Sequence, residues 1–328
     1  MLLISVVVSA SVGSVSISIL TTFKIILHKI FGLFEKDWST SDEFIIIGIR
    51  APRILLALIV GAALSCAGAV FQALLKNPLA DPYVLGVSSG SAVGACIAIM
   101  LGASATFYGA FAIPLFAFLG ALLTVAIVYI IAMDNMRINV YTLLLAGVIC
   151  GTFFSAVIMF FISISASPQL RGIMFWLMGD LSRAEPVALT IAYVIITIVC
   201  VAIYLFSSEL NLMTFGDESA MSMGVNVERV KATLFVMASL ITATAVSISG
   251  LIGFIGLIIP HIARMLYGSD HKSLLPASVI LGSIFLIIAD TLARTVIAPY
   301  ELPVGVVTAF CGAPFFVYLL KKKGLGTI

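Results

Sequence analysis

Apolar runs about one bilayer thick, each closed by a charge or a turn residue, recur along the whole chain. Charged and turn positions cut it into segments near 2–27, 54–75, 83–101, 107–132, 140–163, 186–206, 232–250, 251–267, 274–296 and 302–320. Runs of ~20 apolar residues predict transmembrane helices, so the expected fold is all-α and polytopic, with about ten crossings in one domain over 1–328. The clearest crossing runs from Ile54 to Leu75, between Arg50-Ala51-Pro52-Arg53 and the stop Lys76-Asn77-Pro78. In the next segment Gly86, Gly90 and Gly94 fall four apart, a spacing that lets helix backbones touch in lipid.

Two stretches break the pattern. Ser163 to Arg183 is too polar to cross and too apolar for a plain loop, which predicts an interfacial extracytoplasmic helix with Trp176 at headgroup level. Ala232 to Ala263 holds 32 residues without Asp, Glu, Lys or Arg, interrupted by Gly250, Gly253, Gly256 and Pro260. That is too long for one upright crossing and too short for two, so a broken or half helix is expected. The segment 2–27 reads as a retained first span, because Met1 is followed by no basic stretch and no small-residue cleavage site.

Composition fixes the class. The chain is 62% hydrophobic and 10% charged with a mean hydropathy of +1.24, values that no water-soluble domain matches. A net charge of +2, with Lys and Arg scattered, argues against a nucleic-acid surface. Cys66, Cys96, Cys150, Cys200 and Cys311 each lie in apolar sequence without a CxxC partner and read as small buried side chains. No HExxH or GxSxG occurs, and His28, His261 and His271 lack ligand spacing, so no catalytic or metal residue is expected. The acidic residues fall at span ends or connections, which weakens an ion-coupled secondary carrier or channel. A GxxxxGK[ST] loop is absent too, so any ATP that drives the chain must be held by a partner.

Several long motifs agree, in order, with one family. RAPR, GAALSCAGAVFQALLKNPLADPYVLGVSSG, GLIGFIGLIIPHIARMLYGSDHKSLLP and ADTLARTVIAPYELPVGVVTAFCGAPFF resemble the FecCD-type permeases of type II ABC importers, from Arg50 to Lys321. Members carry iron-siderophores, haem or vitamin B12 inward. The resemblance implies a homodimer in the inner membrane, with two ATP-binding cassette subunits holding ATP and Mg and an extracytoplasmic substrate-binding protein delivering the chelate. No cofactor would reside in this chain. Positive charge does not orient it: nine Lys and Arg on one side (Lys76, Arg137, Arg229, Lys231, Arg264, Lys272 and Lys321 to Lys323) face eight on the other. The C-terminal lysines, together with the resemblance, place both termini in the cytoplasm.

The same resemblance distributes roles. In the hydrophilic connection 207–231, Glu218, Ala220, Met221 and Gly224 match the coupling helix that docks on the ATPase; an ordinary solvated loop is the plainer alternative. Arg50, Arg53 and Arg294, brought to one membrane face by opposite directions of travel, would dock the binding protein. Singly, each also reads as a flanking arginine, with Asp290 and Arg294 as a local pair. Asn77, Pro78 and Leu79 would form an inner gate and Tyr141 and Thr142 a second layer, although Asn-Pro is also a simple helix stop. Gly253 to Gly256 and Ile259 to His261 read better as close packing and a kink than as a pore-facing helix start.

Overall fold

The computed structural model describes residues 1–13, 15–103, 109–134, 137–182 and 185–323, with the backbone alone for 109, 110, 134, 137, 138, 319, 320, 322 and 323. Among the described residues, six helices are long and apolar enough to cross a membrane and four shorter apolar ones accompany them. These correspond in order to the ten expected segments. Arg183, the expected end of the interfacial piece, lies outside the described residues, and so do the side chains of Lys322 and Lys323.

One expectation fails at the start of the chain. The segment 2–27 is not one crossing but two helices, α1 (Leu2–Ser11) and α2 (Ile19–Phe31). Arg50 accounts for the break. Its Nη1 donates to Ala10 O at 2.6 Å and Ser11 O at 3.0 Å, and its Nη2 to Val15 O, so the guanidinium takes over carbonyls at the end of α1. A Cβ on Gly13 would stand 2.6 Å from that Nη2, so a larger residue there would displace the guanidinium. The 10 residues of α1 rise about 15 Å, half of a hydrocarbon core. Helix α2 starts on a Ser18 cap and ends on left-handed Gly32, and Ile25 seats it against Ile17 and Ile46.

The centre of the molecule is the rod Thr40–Leu74, made of α3 (Thr40–Glu43), a π-helical turn (Phe44–Arg50) and α4 (Ala51–Leu74). Its most apolar stretch is 89% buried, against 22% for the peripheral α7 (Val140–Ile164) and α9 (Pro186–Leu205). Small residues explain the enclosure. At Gly61 a Cβ would come within 2.3 Å of Gly282 O on α14 (His271–Thr295), and at Gly68 within 1.9 Å of Gly256 O on α13 (Ile255–Tyr267). The pairs 61 with 282 and 53 with 290 show that α4 and α14 run antiparallel.

The expected small-residue helix is α5 (Val87–Met100), reached through a 3-10 turn, Pro82–Leu85. It packs on α6 (Gly109–Ala132), where a Cβ on Gly90 would clash with Thr124 and Gly120 and one on Gly94 with Phe116 O at 2.0 Å. Residues 133–134 and 137–138 pair as two-residue antiparallel strands between α6 and α7. The interfacial piece is α8 (Ser167–Leu177). Trp176 is half-buried against the core, and Phe175 is the exposed aromatic instead.

The long uncharged run breaks where its glycines stand. Helix α12 (Val227–Ser249) ends at Gly250 with φ +68°, and α13 starts after left-handed Phe254. The loop between them is fixed by the end of α8: Leu251 N donates to Trp176 O at 3.4 Å and Asp180 N to Ser249 O at 2.8 Å. The connection 207–231 folds as α10 (Ser207–Met213) and α11 (Asp217–Ser222), and α15 (Val304–Lys323) closes the bundle.

Candidate functional site

The candidate docking residues lie at one end of the bundle and the candidate gate and coupling residues at the other, and the ends differ in kind. At the first lie Arg50, Arg53 and Arg294, all buried. Arg53 Nε donates to both oxygens of Asp290, at 2.9 and 3.1 Å, and its Nη1 to Glu301 Oε2 at 2.7 Å. Arg294 Nε reaches the same carboxylate at 3.1 Å and its Nη2 binds Ser9 Oγ at 2.9 Å. A carboxylate 1% exposed thus sits between two guanidinium groups, which compensates charges that would be very costly alone. The three arginines are internal ties that hold α1 and α14 to α4. Arg53 also edges a surface hollow, shared with Asp180, Ser182 and the half-exposed Glu301.

The opposite end carries the predicted gate and coupling residues. Leaving α4, Lys76 adopts a left-handed φ of +48°, and the Asn77 side chain accepts Leu79 N at 2.9 Å, closing the turn over Pro78. Helix α7 starts on Asn139, whose Oδ1 accepts Tyr141 N at 3.0 Å and Thr142 N at 3.1 Å. Tyr141 is 85% exposed. A small cavity lined by Leu74, Leu75, Val140, Leu143, Lys231 and Phe235 joins the end of α4, the start of α7 and the first turns of α12. Both predicted gate segments therefore begin within two residues of one shared hollow.

Beside them stands α11. It is acidic at its start, with Asp217 and Glu218, and is followed by Gly224 at φ +90°, where only glycine is at ease. Ala220 is fully buried and anchors the turn, whereas Glu218, Met221, Met223 and Phe215 face outward. Asp217 accepts from Lys76 Nζ at 2.9 Å and from Lys231 Nζ. Burial would raise its carboxyl, but the two lysines outweigh that and hold it below the usual carboxylate range. Helix α10 is pinned as well: Asn211 Oδ1 accepts His271 N at 2.8 Å, and its Nδ2 donates to Asp270 at 2.6 Å.

Four polar side chains escaped the sequence reading. Asp217 and Lys231 looked like charges of a solvated loop and a helix start, and nothing in their spacing pairs them across 14 residues. Gln72 bridges α4 to α13 by donating to Gly256 O and Leu257 O at 3.2 Å, and it accepts from Arg264 at 3.1 Å. Asp81 was read as part of a connection, yet it is buried; its Oδ1 accepts Tyr83 N at 2.9 Å and burial pushes its carboxyl up to about 6. Phe254 packs onto Gly312 and Gly256 onto Gly68, in keeping with close packing for the 253–261 group. Among the described residues no cluster of His, Cys, Asp and Glu could hold a metal ion.

A bundle of apolar helices about one buried rod, six of them long enough to cross a bilayer, is the architecture of a multi-pass membrane protein. The chain belongs to the FecCD transport family, whose profile matches residues 1–322. It is 43% identical over 280 residues to the cobalamin import system permease protein BtuC of Halobacterium salinarum, covering 85% of this chain and 74% of that one. With the hemin transport system permease protein HmuU of Yersinia pestis it shares 38% identity, over 88% of each chain. A solved inward-facing metal-chelate type ABC transporter superposes with a TM-score of 0.84 at 32% identity, over 98% of this chain and 96% of that one. The chain is thus a permease subunit of ABC importer type, and its family is one of transport rather than catalysis.

Proposed function

We propose that this chain works as a homodimer in the cytoplasmic membrane, moving a metal chelate inward through a path at the two-fold axis. Two partner ATPase subunits bind ATP and Mg, and α11 seats Glu218, Met221 and Gly224 in a cleft on each of them. The carrying observation is the placement of α11: an exposed, methionine-bearing helix, anchored by buried Ala220, on the same end of the bundle as Asn77 to Leu79 and Tyr141 to Thr142. Flexible Met side chains suit a peg that must re-pack as its socket closes. An iron(III) siderophore, haem or cobalamin is the cargo, in line with what the relatives are named for. At the far end the binding protein docks on the hollow edged by Arg53, Asp180 and Glu301, where exposed charges set register more than affinity.

Reconstitution tests this reading. Proteoliposomes holding the permease with its ATPase and binding protein should take up ferric hydroxamate, haemin or cyanocobalamin only with ATP inside. Uptake by the permease alone would overturn it. Gly224→Trp should leave assembly intact and abolish uptake. The ion-coupled carrier retains one observation, the buried Asp81, and uptake that is unchanged by Asp81→Asn would remove it.

A further inference from the structure

Asp217, Lys76 and Lys231 form a charged knot that joins α11 to the end of α4 and to α12. Asp217 is the first residue of α11, directly after Gly216 with φ +107°. One carboxylate oxygen accepts from Lys76 Nζ at 2.9 Å, and the other from Lys231 Nζ. Lys76 is half-exposed and holds the left-handed turn that immediately precedes Asn77-Pro78-Leu79. Lys231 is buried in α12 and lines the cavity shared by the end of α4 and by Val140, which opens α7. A single carboxylate thus holds the peg to the residue before Asn77 by one oxygen and, by the other, to the α12 lysine that lines the hollow beside Val140.

We infer that Asp217 is a positioning residue that converts movement of α11 into movement of the two gate segments, acting through Lys76 and Lys231. The physical ground is connectivity. Ala220 fixes α11 through an apolar seat that tolerates sliding, whereas charge-assisted hydrogen bonds are directional and keep their partners in step. A coupling claim requires an element that both sites touch, and the 76–79 turn is joined to α11 through the Lys76–Asp217 contact. This inference rests on the proposed coupling role of α11.

The test uses the complete complex of permease, ATPase and binding protein, and needs no knowledge of the cargo. A thiol at Leu79→Cys, with Cys150, Cys200 and Cys311 replaced by serine, reports gate exposure through its rate of maleimide labelling, with and without ATP and vanadate. With Asp217 intact the labelling rate should change about fivefold or more on trapping, and with Asp217→Asn the change should vanish while ATP hydrolysis continues. Asp217→Glu, which keeps the charge, should restore it. Lys76→Met, on a half-exposed side chain, provides the same reading should Asp217→Asn fail to assemble, and combining the two should be no worse than either alone. A labelling change that persists in Asp217→Asn and Lys76→Met overturns the inference. If Gly224→Trp uncouples while these two do not, the coupling role of α11 stands and the knot falls; if none uncouples, both fall.

Discussion

Asp290 shows how much a single residue can decide. Its carboxylate lies between Arg53 and Arg294 and in turn holds Ser9 and α1 through Arg294. Removing one partner of such a buried set leaves uncompensated charge, so Asp290→Ala should lower stability by about 3–5 kcal/mol, read as thermal unfolding in detergent. The i,i+4 pair of Asp290 and Arg294 was visible in the sequence, but its third member, Arg53, stands 237 residues away and was not. Asp81 offers a second test, through pH. Its folded-state value, about 6, lies above the ordinary 3.8, so the native state prefers the protonated acid. The penalty is absent below about pH 4, grows as pH rises through 6, and is constant above. Asp81→Asn, which can still accept the Tyr83 N–H, should therefore raise the melting temperature by a few degrees at pH 7.5, and the gain should disappear near pH 4.

Among the elements, α4 illustrates what small residues accomplish in lipid. Gly61 and Gly68 place its backbone against the carbonyls of Gly282 and Gly256, and no side chain there can yield to an added methyl. Gly68→Ala should destabilise by at least the ~1–3 kcal/mol of ordinary overpacking, whereas Gly253→Ala, where an added methyl meets nothing within 4 Å, should be near neutral; both are read from thermal aggregation in detergent. The apolar helices after the first segment were legible because period and length suffice to mark them, and the break at 250–254 was legible from its glycines. The first segment was not, since the interruption at 12–18 comes from Arg50, which a reading of local hydrophobicity has no means to place there.

For the molecule as a whole, the exposed apolar surface of a homodimer is divided between lipid and the second copy. Helix α7 is only 22% buried, has Tyr141 and Thr142 in its first turn, and shows Leu145, Ile149, Phe153 and Phe160 outward. Native mass spectrometry of the detergent-solubilised complex should give two 34.7 kDa permease chains for every pair of ATPase subunits. A single permease chain per complex would contradict the two-fold path.

The sequence alone determined the solvent, the number of apolar segments and the family. Those follow from length and hydropathy, which act locally, and from long motifs that a linear string preserves. Tertiary structure decided which charges are internal. Arg50, Arg53 and Arg294 stand at span ends in the sequence and are buried in hydrogen bonds between helices, while Asp217, in a hydrophilic connection, stands between two lysines. The reason is physical: in a buried ion pair the partner sets the meaning of a charge, and partners here come from helices that lie far apart along the chain but side by side in the bundle.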